Sequence, residues 1–221
     1  MEHYINKIIN ADCLDILKRL PDNCVDLVLT DPPYGIGISN NPVRQQHKKK
    51  DWDKEIPTIE IFNEIFRISK NQIIWGGNYF DLPPTQGFFI WDKIQPEDFS
   101  LAMCEFAWSS IQKPAKMFRY SVLTERDKIH PTQKPVKLFE WLLNKTTNEN
   151  DLVLDCFSGS GTTAVACHNL KRRFICIEKD PDYWRSSCER LEQAQRQQTL
   201  FLRCYNIIIN NEVDTKKGKM L

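Results

Sequence analysis

The sequence predicts an α/β domain, a mostly parallel sheet with helices on both faces. Three observations lead there. Strand-like and helix-like runs alternate along the chain, the pattern of crossover connections between parallel strands. A glycine-bearing turn at 157–161 joins one strand-like run to one helix-like run inside a βαβ pattern. The 221 residues suffice for one large domain and are too few for two with separate cores.

The elements follow in order. A short strand is expected at Lys7–Asn10, a helix at Asp12–Leu20 and a strand at Val25–Thr30. A basic loop occupies 36–54. In the helix expected at Thr58–Lys70, Ile61, Phe62, Ile65, Phe66 and Ile68 recur at roughly helical spacing. Gln72–Trp75, Gly87–Trp91 and Cys104–Ser110 have strand character, the last two separated by the polar stretch 92–100. A loop is expected over 112–128, then a helix opened by Pro135, a residue suited to a first helical turn. The last third gives a strand at Leu152–Asp155, a helix at Thr162–Leu170, a strand at Phe174–Glu178 and a helix at Asp182–Gln198. Residues 1–198 form the expected domain. The tail from Thr199, apolar around Leu200–Leu202 and again from Cys204 to Ile209, is open to three readings: an edge strand, a surface against a partner chain, or a frayed end.

Composition excludes several classes. With 41% hydrophobic and 27% charged residues the chain is an ordinary globular one, and its net charge of +1 offers no overall attraction to nucleic acid. Basic contacts must come from local clusters. No window approaches roughly 18 consecutive apolar residues, and Met1–Lys7 lacks a basic leader, so neither a membrane span nor a signal peptide is expected, and the expected address is cytoplasmic. The eight cysteines include no Cys-x-x-Cys pair and sit largely in apolar runs, which fits reduced core thiols rather than a zinc site or a disulfide framework. No metal is expected.

Residues 30–35 read TDPPYG and follow the run Val25–Leu29. As structure alone this is a turn, since each proline fixes φ and cannot continue a central strand. As chemistry it is more. Asp31 at the carboxyl end of a parallel strand would face the edge where ligands of open α/β sheets bind. Pro32 and Pro33 have no N–H, so the main chain there offers only acceptors. Tyr34 adds a flat face for a base and Gly35 leaves room beside it. A cluster of acceptors without donors suits an exocyclic amino group, whose lone pair is delocalised into its ring until both hydrogens are accepted.

In the 157–161 turn, Gly159 and Gly161 allow close backbone approach, Ala164 permits tight helix–sheet packing, and N–H groups at the helix start would face a ligand. Glu178 ends the next strand, about 20 residues on, where an acidic side chain meets the ribose of an adenosine cofactor. The turn alone fits a dinucleotide dehydrogenase nearly as well as any other adenosine-cofactor enzyme, and also a plain structural turn.

Taken together, TDPPYG at 30–35, HPTQKP at 130–135 and DCFSGSGTT at 155–163 resemble three motifs of the S-adenosylmethionine-dependent DNA amino-methyltransferases. The DPPY motif precedes the cofactor motif with HPTQKP between them, which resembles the permuted beta group of that family. The resemblance spans about residues 10–191. It implies a circularly permuted, Rossmann-like methyltransferase fold, with S-adenosyl-L-methionine as cofactor and no metal. Asp rather than Ser ahead of Pro-Pro-Tyr favours adenine N6 over cytosine N4.

The same resemblance supplies site residues. Asp31, Pro32, Pro33 and Tyr34 form the implied catalytic set, with Asp31 and the Pro32 carbonyl accepting from the target amino group. Phe157, Ser158, Gly159, Ser160, Gly161 and Thr162 would line the cofactor turn, with Asp31 and Asp155 beside it, and Glu178 would hold the ribose. Asp12 and the backbone of Cys13 would meet the cofactor adenine, although Asp12 is equally a helix cap. His130, Thr132 and Lys134 would approach the methionine end, although His130 and Pro131 also read as a turn and Lys134 as a solvated charge.

Double-stranded DNA is the implied partner. Arg44, Lys48, Lys49 and Lys50 in the 41–54 loop form one basic cluster, suited to closing on a phosphate backbone or simply to solvent. Lys93, Lys113, Lys116 and Arg119 form the second, within a small target-recognition insert expected at about 92–128. A homodimer and a restriction endonuclease partner are compatible with the resemblance. The rival readings are a dehydrogenase, which leaves TDPPYG without a role, and a non-catalytic nucleic-acid-binding module, which would not need a complete cofactor turn.

Overall fold

The structure is a computed structural model describing residues 1–37, 53–98, 102–121, 124, 129–130 and 132–217, with side chains described up to residue 200. Among the described residues eight strands form one sheet: β1 (Lys7–Asn10), β2 (Val25–Thr30), β3 (Ser69–Trp75), β4 (Gly87–Asp92), β5 (Cys104–Ser109), β6 (Lys116–Arg119), β7 (Leu152–Asp155) and β8 (Arg173–Glu178). Five α-helices accompany them among the described residues: α1 (Cys13–Leu17), α2 (Ile59–Ile68), α3 (Val136–Thr146), α4 (Thr162–Asn169) and α5 (Pro181–Lys217). The strand order is β1-β8-β7-β2-β3-β5-β4-β6. The first five strands in that order are mutually parallel, β5 is antiparallel to both its neighbours β3 and β4, and β6 returns parallel to β4.

Two apolar layers cover the sheet, and the alternation of side chains along each strand sorts residues between them. Leu27, Leu29, Ile73, Trp75, Val153, Phe174 and Cys176 pack with Leu138, Leu142 and the Ala164–Cys167 stretch of α3 and α4. Val28, Ile74, Leu152, Leu154, Ile175 and Ile177 point the other way, against Leu17 of α1 and Phe62, Ile65 and Ile68 of α2. In α4 the six residues Thr162–Cys167 are all buried, and only His168 and Asn169 at its end reach towards solvent. Such full burial makes the backbone immediately before α4 a rigid fixture.

Several expected elements differ at their ends. α1 stops at Leu17, and Asp12 is its N-cap, its Oδ1 accepting from Leu14 N at 3.0 Å. Pro135 is the N-cap of α3 rather than its first residue. The expected 112–128 loop contains β6, a four-residue strand hydrogen-bonded to β4. The tail is neither edge strand nor frayed up to Lys217, because α5 runs unbroken from Pro181 for 37 residues. Extending an existing helix adds one hydrogen bond per residue without a new nucleus, which outweighs the β preference of Ile207–Ile209.

Candidate active site at the carboxyl edge of the sheet

Four neighbouring parallel strands end on functional residues. β1 ends at Asn10 before Asp12, β2 at Thr30 before Asp31, β7 at Asp155 and β8 at Glu178. One cavity of about 980 Å³ runs along this edge, lined from Asp12 and Cys13 through Phe157–Ser160 and Glu178 to Asp31–Tyr34 and Lys134. Its volume matches a site for a cofactor and a substrate group together. The sequence-predicted motifs thus meet in one chamber.

The two halves of the chamber are tied to each other. Asp155 is buried; Thr30 donates to its Oδ1 at 2.8 Å, Thr163 to Oδ2 at 2.5 Å and Phe157 N to Oδ1 at 3.1 Å. Burial pushes its carboxyl up to about 6 against those three donors. Asp155 is therefore a brace, linking the strand that carries Asp31 to the turn and helix that carry the glycines.

The turn itself is held from both sides. Ser158 N donates to Ile177 O at 2.9 Å, and Arg190 Nη1 donates to Ser160 O and to Thr162 Oγ1, each at 3.0 Å. Gly159 has φ +50°, and a Cβ there would stand 3.7 Å from the His130 ring, in the gap between turn and HPTQKP segment. Its N–H does not point freely into the cavity as expected; it donates to Glu178 Oε2 at 2.7 Å, while Asp180 N donates to Oε1 at 2.8 Å. Burial drives the Glu178 carboxyl up to about 7 despite both backbone donors. A fixed acidic acceptor beside a small-residue turn suits the hydroxyls of an adenosine ribose, so these residues fit the expected cofactor.

The other members of the cofactor set line the same cavity, and their side chains have partners of their own. Asp12 spends one oxygen on the cap and the other on Lys179 Nζ at 2.9 Å, a contact that draws its carboxyl below the ordinary value. Cys13 is buried, and burial pushes its thiol up to about 12, which leaves it an inert wall. His130 is buried, packs edge-on against Tyr183 at 4.3 Å and pairs through Nδ1 with Thr132 Oγ1 at 3.1 Å. Lys134 is not a solvated charge. Its side chain is 5% exposed, and Nζ lies 2.5 Å from Asp31 Oδ2 and 3.0 Å from Glu105 Oε2.

Asp31 stands where the strand position predicts, with the Tyr34 hydroxyl donating to Oδ1 at 2.7 Å. Burial raises its carboxyl and the Lys134 ammonium pulls the other way. Each carboxylate oxygen still has room for a second donor. The Tyr34 ring stacks on Tyr79 at 4.7 Å and 12°, so one of its faces is already covered by a second aromatic ring. Gly76, at φ +68°, makes that closeness possible, because a Cβ there would fall 2.2 Å from Tyr34 Cε1. Asp53 Oδ1 accepts from Tyr34 N at 2.8 Å and Gly35 N at 3.0 Å, which satisfies the donors that resume after the two prolines.

The basic clusters separate. Lys113, Lys116 and Arg119 are exposed, with Arg119 3.1 Å from Asp92. Lys93 departs from the expectation: its side chain is 8% exposed and its Nζ is 2.5 Å from Glu105 Oε1, so its charge faces the cavity and not a phosphate backbone. Arg44, Lys48, Lys49 and Lys50 lie outside the described residues. Sequence reasoning missed Glu105, Tyr79, Asp53 and Arg190. Only Glu105 carried a visible clue, a carboxylate inside the apolar strand Cys104–Ser109.

The sheet order, the glycine turn and the shared cavity define a Rossmann-like methyltransferase fold. Residues 89–189 match the model of a family described as DNA methylase. The chain is 28% identical over 244 residues to the type II methyltransferase M.BglII of Bacillus subtilis, across 82% of this chain and 68% of that one. It is 29% identical over 217 residues to the putative methylase YubD of Escherichia coli (strain K12), across 87% and 92%. Among solved structures, the M1.HpyAVI–SAM complex aligns at a TM-score of 0.58 and 26% identity, over 84% of this chain and 99% of that one. The cytosine-N4-specific PvuII DNA methyltransferase aligns at 0.60 and 17% identity, over 86% and 91%, a likeness of fold. In the family model it matches, in these relatives and in fold, the chain is similar to N6/N4 DNA methyltransferases.

Proposed function

We propose that this protein is a site-specific DNA adenine-N6 methyltransferase using S-adenosyl-L-methionine. The observation that carries the reading is the meeting, in one cavity, of an acceptor cluster at Asp31–Pro33, whose two prolines bring no N–H, with the Glu178-anchored glycine turn. Glu178, the 157–160 backbone and His130 hold the cofactor, which supplies an electrophilic methyl group when bound. A flipped-out adenine enters beside Tyr34 and Tyr79. Asp31 and the Pro32 carbonyl accept the two amino hydrogens, which localises the nitrogen lone pair, and Asp31 then takes the surplus proton. Burial of Asp31 favours that last transfer. Positioning carries most of the catalysis. Asp rather than Ser at position 31 favours adenine over cytosine. Lys113, Lys116 and Arg119 would touch the DNA backbone, and residues 92–128 would contribute to sequence recognition.

The test is incubation with methyl-labelled cofactor and varied double-stranded DNA, followed by nucleoside analysis. Label in N6-methyladenine is the expected result. Label in N4-methylcytosine would replace the base assignment, and label confined to RNA or protein would sink the reading.

The Glu178 carboxyl gives a pH prediction. Ribose hydroxyls donate to its ionised form, and its value near 7 means that form grows in as pH rises through neutrality. Affinity for S-adenosylhomocysteine, measured by calorimetry, should therefore increase from pH 6 to 8. In Glu178→Gln that slope should vanish; a slope that survives the substitution would assign it to another group.

A further inference from the structure

Beneath Asp31 lies a cluster of two carboxylates and two ammonium groups, half of which the methyl-transfer reading leaves without a role. Lys134 bridges Asp31 and Glu105, and Lys93 closes the row on the far oxygen of Glu105. The bridge is unequal. The Lys134–Asp31 contact is a hydrogen bond, whereas the Lys134–Glu105 contact is an ion pair at 3.0 Å that leaves Glu105 Oε2 outside hydrogen-bond geometry.

Backbone registry fixes this arrangement. Trp91 faces Glu105 across the β4–β5 ladder, and Lys93 N donates to Met103 O at 2.9 Å, so Lys93 and Glu105 are presented by one antiparallel pair. Lys134 arrives from the segment before α3, and its carbonyl accepts from Thr162 Oγ1 at 3.1 Å, which links it to the cofactor turn. Buried ammonium groups are expensive unless paired. This fold supplies two and matches each with a carboxylate.

A lysine held by one carboxylate alone would lock it as an ion-pair partner and weaken it as an acceptor for anything else. A lysine shared between two carboxylates leaves each with acceptor capacity to spare. We propose that Glu105 is a positioning residue for methyl transfer: it shares the Lys134 ammonium with Asp31, so that Asp31 remains oriented and strong enough to accept from the substrate amino group, and Lys93 anchors Glu105 for that task. The inference rests on the reading of Asp31 as the amino-group acceptor.

The charges facing Asp31 give the proposal a sign. Tyr34 reaches it from its own turn, Lys134 from the segment before α3, Glu105 from β5 with Lys93 behind, and Asp155 from β7, while His130 lines the same cavity. Negative charge on Glu105 raises the proton affinity of Asp31, and the Lys134 ammonium lowers it. Glu105→Gln should therefore move the Asp31 titration to lower pH. Lys93→Met, which releases Glu105 to the cluster, should move it to higher pH. A purely structural role for the two residues would not produce shifts of opposite sign.

The experiment uses the full chain without cofactor, with ¹³C-carboxyl aspartate labelling to follow Asp31 by NMR, alongside single-turnover methyl transfer to DNA. Expected are the opposite Asp31 shifts, a transfer rate for Glu105→Gln lower by about 10- to 100-fold with its acid limb displaced in the same direction, partial recovery in Glu105→Asp, and S-adenosylhomocysteine affinity within about threefold of wild type. An Asp31 titration unmoved in Glu105→Gln overturns the proposal, as does an unchanged transfer rate. If Glu105→Gln does not fold, a Lys93→Met titration that fails to rise overturns it equally. Opposite shifts with no transfer by the wild-type chain would instead remove the methyl-transfer reading and, with it, the catalytic half of the proposal.

Discussion

Replacing Asp31 by alanine should lower single-turnover methyl transfer by about 10²–10⁴-fold, the range expected for removing a positioned acceptor and proton carrier. S-adenosylhomocysteine binding should change far less. Asp31 leaves β2 on its own strand end, whereas Glu178 and the glycine turn hang from β8 and β7 and are braced by Asp155, Arg190 and backbone bonds that Asp31 does not enter. Loss of the carboxylate leaves Lys134 paired to Glu105, so the buried ammonium keeps a partner and the fold should persist. The Tyr34 hydroxyl loses its acceptor, which will loosen the stack on Tyr79. The measurements are label transfer from the cofactor to DNA, calorimetric cofactor-product binding and thermal midpoint. A variant that keeps near-normal turnover would show that Asp31 does not accept from the substrate, and one that loses turnover and cofactor product together would make its role that of a cofactor ligand.

How much of this was legible in sequence depended on whether a feature was local. β1, β2, β7 and β8 were visible because each is a short apolar run, and their helical partners followed from the 3.6-residue spacing or the glycine turn. TDPPYG could be placed at a strand's carboxyl end because the strand and the motif are contiguous. The cluster under Asp31 was not legible, because its members come from the turn after β2, the end of β4, β5 and the segment before α3, brought together only by the β3-β5-β4 pairing. Lys93 was grouped with outward-facing charges for the same reason: its neighbours in sequence are polar, and its partner Glu105 is visible only across an antiparallel ladder. Asp53 lies in sequence at the end of a basic loop, and only the fold shows that its oxygen closes the turn on the amides of Tyr34 and Gly35. β6 escaped notice because four exposed or half-buried residues at a sheet edge carry no hydrophobic pattern to read.

Lys134→Met should be the most destabilising of the single substitutions considered. Methionine approximates the aliphatic stem, so the change removes charge with little loss of volume. Asp31 and Glu105 would then face one another with only Lys93 nearby, and breaking a buried ion pair by deleting one partner costs about 3–5 kcal/mol. The pH dependence gives this estimate its check. In the wild type, burial alone would raise Glu105, but Lys134 and Lys93 outweigh it and draw its carboxyl down to about 2. A depressed carboxyl contributes stability above its unfolded value, and that contribution disappears as pH falls through about 2. Without Lys134, two buried carboxylates repel and their titration moves up, so the folded variant is favoured by protonation. Its deficit relative to wild type should be small in acid and widen as pH rises through that raised range. Urea unfolding across a pH series measures this directly, and adding Glu105→Gln to Lys134→Met should recover part of the loss at neutral pH, since Asp31 then no longer faces a second buried carboxylate. A deficit that is the same at every pH, or one that Glu105→Gln deepens, would mean that Lys134 stabilises the fold through packing and that the charge row beneath Asp31 is not the unit described above.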